Sequence, residues 1–267
     1  MSRQLPDSMP AWSRPLRIPA EVVITHTEPP FAIAGETSSW RLPFVLSRDV
    51  DAGSLLKLQI AGGRNNKGAF DCIAPAARLA DGTPLGMVPD GQKGTFVLTA
   101  PEAGLNTGDA VTVTLAECRP PVVRQLNKYF ILYAIAPGDK SGRTPQWAGG
   151  SVWAPGTDSQ IVAACTMHVL GGRTDRLRAY APSFAEPGTE LSILVRPEDR
   201  FGNLAHEKPG ALAAFLGRQE LQGRREDVEG STCVRLRTAV RDQGTHRLRF
   251  VEGASGRQTT TNPIVCG

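Results

Sequence analysis

The chain has 267 residues, enough for two ordinary domains or one large β domain. Hydrophobic residues make up 40% and charged residues 21%, which excludes global disorder. The net charge is +4, its arginines are interspersed with acids, and no Lys/Arg run reaches five, so nucleic-acid binding has no sequence support.

Residues 1–17 are Pro-rich and polar and read as a flexible arm. Strand after strand then follows, each ended by Gly, Pro, Asp or Asn, the residues that accept turn dihedrals. "AEVVITHTE" alternates. "GETSSWRLPFVLS" places Trp40, Leu42 and Phe44 on one face, and "GSLLKLQIAGG" alternates Leu56, Leu58 and Ile60 with polar neighbours. "GDAVTVTLAE" sets Val111, Val113 and Leu115 against Thr112 and Thr114. "KYFILYAIAP" is nearly continuously apolar and reads as a strand buried on both faces. "SQIVAACTMHVL", 159–170, is long enough for a helix, but its Val and Ile content and flanking turn residues favour a strand.

A second domain follows a hinge in "GGRTDRLRAYAPS". The runs "RLRAYAP", "ELSILV", "ALAAFLG", "TCVRLRTAV", "GTHRLRFVE" and "TTTNPIV" belong to a set of about seven short strands, the pattern of an immunoglobulin-like sandwich. Leu248 and Phe250 face its core; Arg235, Arg237, Arg247 and Arg249 form solvated strand faces. Between strands, "RPEDRFGN" reads as a turn: Asp199 bonds back to the backbone, Gly202 takes a positive φ and Asn203 tolerates the left-handed region. Glu198, Asp199 and Asn203 are also oxygen donors, but the D-x-D-x-D spacing of a calcium loop is missing. The expectation is an all-β chain: arm 1–17, a larger β-sandwich domain 18–172, and an immunoglobulin-like domain 173–267.

No catalytic, cofactor-binding or metal-ligating set emerges. His26, His168, His206 and His246 lie far apart. Cys165 and His168, three apart on a strand, fall on opposite faces. Cys72, Cys118, Cys165, Cys233 and Cys266 contain no CxxC pair and read as buried or free thiols. "APGDKSGRT" lacks the glycine before Lys140 that a phosphate loop needs, and G-x-S-x-G does not occur. Glu198/Asp199 and Glu226/Asp227 are adjacent and point apart, unlike a glycosidase pair. Two segments remain as an interface or ligand platform: Asn65, Asn66 and Lys67 in "GGRNNKG", and Trp147 and Trp153 in "PQWAGGSVWAPG". Tryptophans there suit packing at an interface or, alternatively, stacking on sugar rings as in a carbohydrate-binding module. No apolar h-region or run of eighteen apolar residues is present, so the expectation is a cytoplasmic protein without membrane contact.

The segments "GETSSWRLPFVLSRDVDAGSLLKLQI", "AGLNTGDAVTVTL", "HVLGGRTDRLRAYAPSFAEPGTELSILVRPEDRFGN" and "TTTNPIV" occur in that order. The series resembles the N-terminal half of a large bacterial family of uncharacterised proteins. In that family two β-sandwich regions precede a metal-dependent domain related to the polymerase-and-histidinol-phosphatase (PHP) type of hydrolase. There the catalytic part opens with an Asp-x-His motif. This chain has no Asp-x-His or His-x-His pair and stops at Cys266-Gly267, so no metal ligand carries over. The resemblance implies a non-catalytic subunit or N-terminal module that supports a PHP-like catalytic subunit or C-terminal domain, with any divalent metal held by that partner.

Overall fold

The computed structural model describes residues 18–59, 74–89, 95–137 and 161–267. The arm expected at 1–17 lies outside them. All described regular structure is strand, so the protein is all-β. The chain divides into two compact units, Met1–Val169 and Leu170–Gly267.

In the first unit the strands are β1 (Ile24–Ile33), β2 (Ser38–Val45), β3 (Leu55–Gln59), β4 (Ala74–Leu79), β5 (Pro84–Leu85), β6 (Met87–Pro89), β7 (Thr95–Thr99), β8 (Ala110–Cys118), β9 (Gln125–Ile135) and β10 (Ile161–Leu170). They hydrogen-bond in the order β5-β4-β8-β2-β1-β10-β9-β3-β7-β6. The two edge strands, β5 and β6, are separated in sequence by Gly86 alone. The ribbon folds over, and its two halves share one core. Trp40, Leu42, Phe44, Val111, Val113 and Leu115 meet Leu56, Leu58, Phe130 and Leu132 there. Trp40 buries its ring and donates its indole N–H to the Phe31 carbonyl at 3.0 Å, so no polar atom is stranded.

Period-two patterning converts directly into burial on β2 and β8. In the ambiguous 159–170 run, the described residues Ile161–Leu170 are strand β10. On β9, Phe130 and Leu132 face the main core, while Ile131 and Tyr133 pack with Val22, Ile161 and Ala164 on the other side. That second cluster is why "KYFILYAIAP" is apolar on both faces from Tyr129 onward. It also explains a departure from expectation. Lys57, the polar neighbour between Leu56 and Leu58, is buried, because it pairs with Tyr133 on the covered face. β1 departs too: only its Thr27 and Ala32 are buried, and Ile24 and Phe31 stay exposed.

The second unit contains β11 (Arg176–Tyr180), β12 (Phe184–Ala185), β13 (Glu190–Glu198), β14 (Leu212–Leu216), β15 (Gln219–Leu221), β16 (Arg224–Asp227), β17 (Val234–Ala239), β18 (Gly244–His246), β19 (Leu248–Glu252), β20 (Gln258–Thr260) and β21 (Ile264–Cys266). One sheet runs β11-β13-β17-β16. Against it stand β15-β14-β19-β20 and the short sheet β12-β21-β18. All pairs are antiparallel except β12 with β21. Leu191, Ile193, Val195, Val234, Leu248 and Phe250 fill the space between, giving an immunoglobulin-like sandwich. "TTTNPIV", expected as one strand, is two. Asn262 interrupts it, bonding through Oδ1 to the Ala181 N–H and through Nδ2 to the Ala181 carbonyl, both at 3.0 Å.

Candidate functional site

The 196–205 turn is built around Asp199. Its carboxylate is 1% exposed. Oδ1 accepts the Phe201 and Asn203 backbone N–H groups at 2.9 Å each. Oδ2 accepts the Gly172 N–H and the Asn203 side-chain amide at 2.8 Å each. The Gly202 N–H closes the turn onto the Asp199 carbonyl, with Gly202 at φ 84°. Burial pushes the Asp199 carboxyl up, but bonds from the Asn203 side chain and from Gly172, Asn203 and Phe201 backbone together outweigh it and hold it below its ordinary value. Four N–H donors occupy the lone-pair sites a cation would need. The segment is the chain reversal expected from its sequence.

Glu198, next in the chain, points elsewhere, as adjacency on a strand requires. Its buried carboxylate receives three arginines: Arg176 Nε at 2.9 Å, Arg178 Nε at 3.4 Å and Arg196 Nε at 3.5 Å. The same division holds for Glu226, which pairs with Arg237 and Arg224, and Asp227, which pairs with Lys208. The strand arginines are more organised than a solvated face. Arg237 bridges Glu226 at 2.9 Å and Glu190 at 3.1 Å, and Arg249 lies 4.6 Å over the Phe215 ring.

The histidines stay apart in their roles. His168 Nδ1 accepts the Asn127 N–H, His206 Nδ1 lies 2.8 Å from the Gly171 carbonyl, and His246 Nε2 lies 2.8 Å from the Asp242 carbonyl. Among the described residues no three His, Cys, Asp or Glu side chains gather as metal ligands. Cys165 is buried in the first core, where burial pushes its thiol up to about 11. Two features were not visible in the sequence. Lys128 is buried opposite Met167, and burial pushes its ammonium down to about 8. Cys118 is disulfide-bonded, which corrects the reading of all five cysteines as free thiols; Cys165, Cys233 and Cys266 are free. Cys72 lies outside the described residues.

Trp147, Trp153, Asn65, Asn66 and Lys67, the platform expected from sequence, also lie outside the described residues. The structure instead shows an apolar pair in the second unit. Phe184 on β12 is 62% exposed, and Val265, its register partner on β21, is 45% exposed. Both stand on the outer side of a sheet whose inner side is Ala185, Ile264 and Cys266. The sequence signal was one of alternation, with Phe184 and Val265 each flanking an inward residue. Their pairing across about 80 residues was not legible.

No family model matches the chain. It is similar to an uncharacterised protein of Chlamydia trachomatis serovar D, 24% identical over 273 residues, covering 91% of this chain and 41% of that protein. A second uncharacterised protein, from Chlamydia pneumoniae, is 22% identical over 223 residues, covering 74% of this chain and 33% of its own length. The chain thus spans less than half the length of these relatives. Among solved structures it is similar to the D00-D0 domain of intimin, at 10% identity and TM-score 0.31, covering 94% of this chain and 98% of that one. It is also similar to the Escherichia coli adhesin FdeC, at 15% identity and TM-score 0.29, covering 88% and 67%. Likenesses this low carry no residue role to this chain.

Proposed function

We propose that the chain is a non-catalytic pair of β-sandwich modules that docks onto another protein through the Phe184–Val265 face. The observation that carries this reading is that pair itself: an aromatic and a β-branched side chain, in register on neighbouring strands and open to solvent. Aromatic anchors of this kind dominate the energy of protein interfaces. The carboxylates most deeply buried in the second unit, Glu198, Asp199 and Glu252, are each engaged by N–H or guanidinium donors, so their chemistry is structural. The partner in this reading is a PHP-like metal-dependent hydrolase subunit or domain, taken from the family resemblance alone, and it would hold the metal. The Cys118 disulfide favours an oxidising compartment over the cytoplasmic default.

The test is intact mass and size-exclusion light scattering of the untagged protein from its native host. The expected result is association with a polypeptide region carrying Asp-x-His motifs, weakened by Phe184→Glu with Val265→Glu. A lone 28.6 kDa species, or a double variant that keeps its partner unchanged, would overturn the reading.

A further inference from the structure

The outer face of the β11-β13-β17-β16 sheet carries an organised excess of positive charge. Leu191, Ile193 and Val195 of β13 point into the core, so Ser192, Leu194, Arg196 and Glu198 point out. Register then lays out the face in rows. Arg176 stands beside Glu198, and Arg178 beside Arg196. Tyr180, Leu194, Arg235 and Glu226 form the next row, and Ser192, Arg237 and Arg224 the one after. Counted over this face, with Glu190 at the end of β13, six arginines meet three glutamates, an excess of three positive charges.

The excess is uneven. Arg224 and Arg237 are matched by Glu226 and Glu190. Arg176, Arg178 and Arg196 share the single carboxylate of Glu198, and their side chains remain 47%, 55% and 38% exposed. Arg178 and Arg196 are direct cross-strand neighbours, a like-charge pairing that costs stability in an isolated sheet. Arg178 donates Nε to Glu198 at 3.4 Å, which fixes its guanidinium plane and leaves its outer N–H groups free for a ligand, while Arg196 lies 3.5 Å from Glu198 and donates Nη2 to the Gly202 carbonyl at 3.3 Å. Tyr180, 49% exposed, stands next to them.

We propose that this face binds an acidic protein segment, with Arg178, Arg196 and Arg235 receiving its carboxylates. Guanidinium forks match carboxylates in bidentate geometry, and their orientation by Glu198 lowers the ordering cost. Arg178, Arg196 and Arg235 stand on three neighbouring strands, which lie about 5 Å apart, so they form one patch. The interleaved glutamates repel a continuous lattice of phosphates, as in a nucleic acid or an anionic lipid surface, but leave gaps for discrete carboxylates. The inference does not rest on docking through Phe184 and Val265, which belong to the other side of the sandwich.

The experiment measures binding of fluorescent decaglutamate to the full chain by polarisation. Wild type is expected to bind, and to weaken several-fold between about 50 and 200 mM salt. Arg178→Gln with Arg235→Gln is expected to weaken binding about tenfold at unchanged thermal midpoint, while Arg249→Gln on β19 leaves it unchanged. No binding by wild type, equal loss with Arg249→Gln, or full binding by the double variant overturns the proposal. Binding to phosphatidylglycerol vesicles without binding to decaglutamate overturns it in favour of a membrane. Phe184→Glu with Val265→Glu is expected to bind decaglutamate normally, so failure of the docking reading and failure of this one are separately visible.

Discussion

Gly172 and Asp199, 27 residues apart, are joined by a 2.8 Å hydrogen bond from the glycine N–H to the aspartate Oδ2. The bond ties the segment entering the second unit to the turn that ends its long strand β13. One carboxylate thereby organises two stretches of chain, because its second oxygen also holds the turn itself.

Asp199→Ala strands four N–H donors in a site that water does not reach. A loss of about 3 kcal/mol is expected for the second unit, read by urea unfolding. Asp199→Asn keeps one acceptor but turns an NH₂ group toward other donors, and should cost nearly as much. A loss below about 0.5 kcal/mol in both would show that the carboxylate does not organise the turn.

Acid should unfold the second unit through its depressed carboxyls. Asp199 is held below its ordinary value as described. For Glu252, burial pushes up, but the Ser255 hydroxyl, the Gly210 N–H and Arg257 together hold it below. A carboxyl lowered in the folded state stabilises above its unfolded value, 3.8 for Asp and 4.5 for Glu, and this is lost as pH falls through the folded value. Stability should therefore be flat above about pH 5 and fall steeply below it, and Asp199→Asn should flatten part of that fall. Identical acid limbs for variant and wild type would contradict the assignment.

Lys128 predicts the opposite limb. Its folded value is about 8 against 10.5 unfolded, so between these the unfolded chain binds more protons and stability rises with pH. The rise amounts to roughly 3 kcal/mol for the first unit. Lys128→Met should be more stable than wild type at pH 7, and the difference should shrink by pH 10. A difference independent of pH would show that the ammonium is not buried charged.

Thiol titration checks the cysteines. Denatured without reductant, the chain should show fewer thiols than the five it shows after reduction, with Cys165, Cys233 and Cys266 among those free from the start. Five thiols before reduction would remove the Cys118 disulfide and, with it, the case for an oxidising compartment.

Gly171 tolerates no side chain. A Cβ there would lie 2.1 Å from the Leu204 carbonyl oxygen and 2.8 Å from its carbon, both backbone atoms. Gly171→Ala should cost about 2 kcal/mol or more, by forcing the segment off the Asp199 turn. Gly217→Ala tests a different mechanism: φ is 60° with open space around it, so only conformational strain of about 1 kcal/mol applies. Equal effects at the two sites would refute the steric account of Gly171.

The chain's own period-two pattern determined which side chains of a strand turn inward. Trp40, Leu42 and Phe44, or Leu248 and Phe250, alternate because a pleated strand leaves no other arrangement. Turn chemistry was equally local: an aspartate, a glycine at positive φ and an asparagine suffice to read 199–203 as a reversal. What pairs with what was decided only in three dimensions. Alternation is blind to the identity of the neighbouring strand, so it gave no sign that Phe184 would stand beside Val265, or that Glu198 would gather three arginines. Burial of Lys57 belongs to the same class. A polar residue between apolar ones reads as solvent-facing until a second layer covers that face, and only packing of Val22, Ile131 and Ile161 on the first unit's sheet reveals that layer.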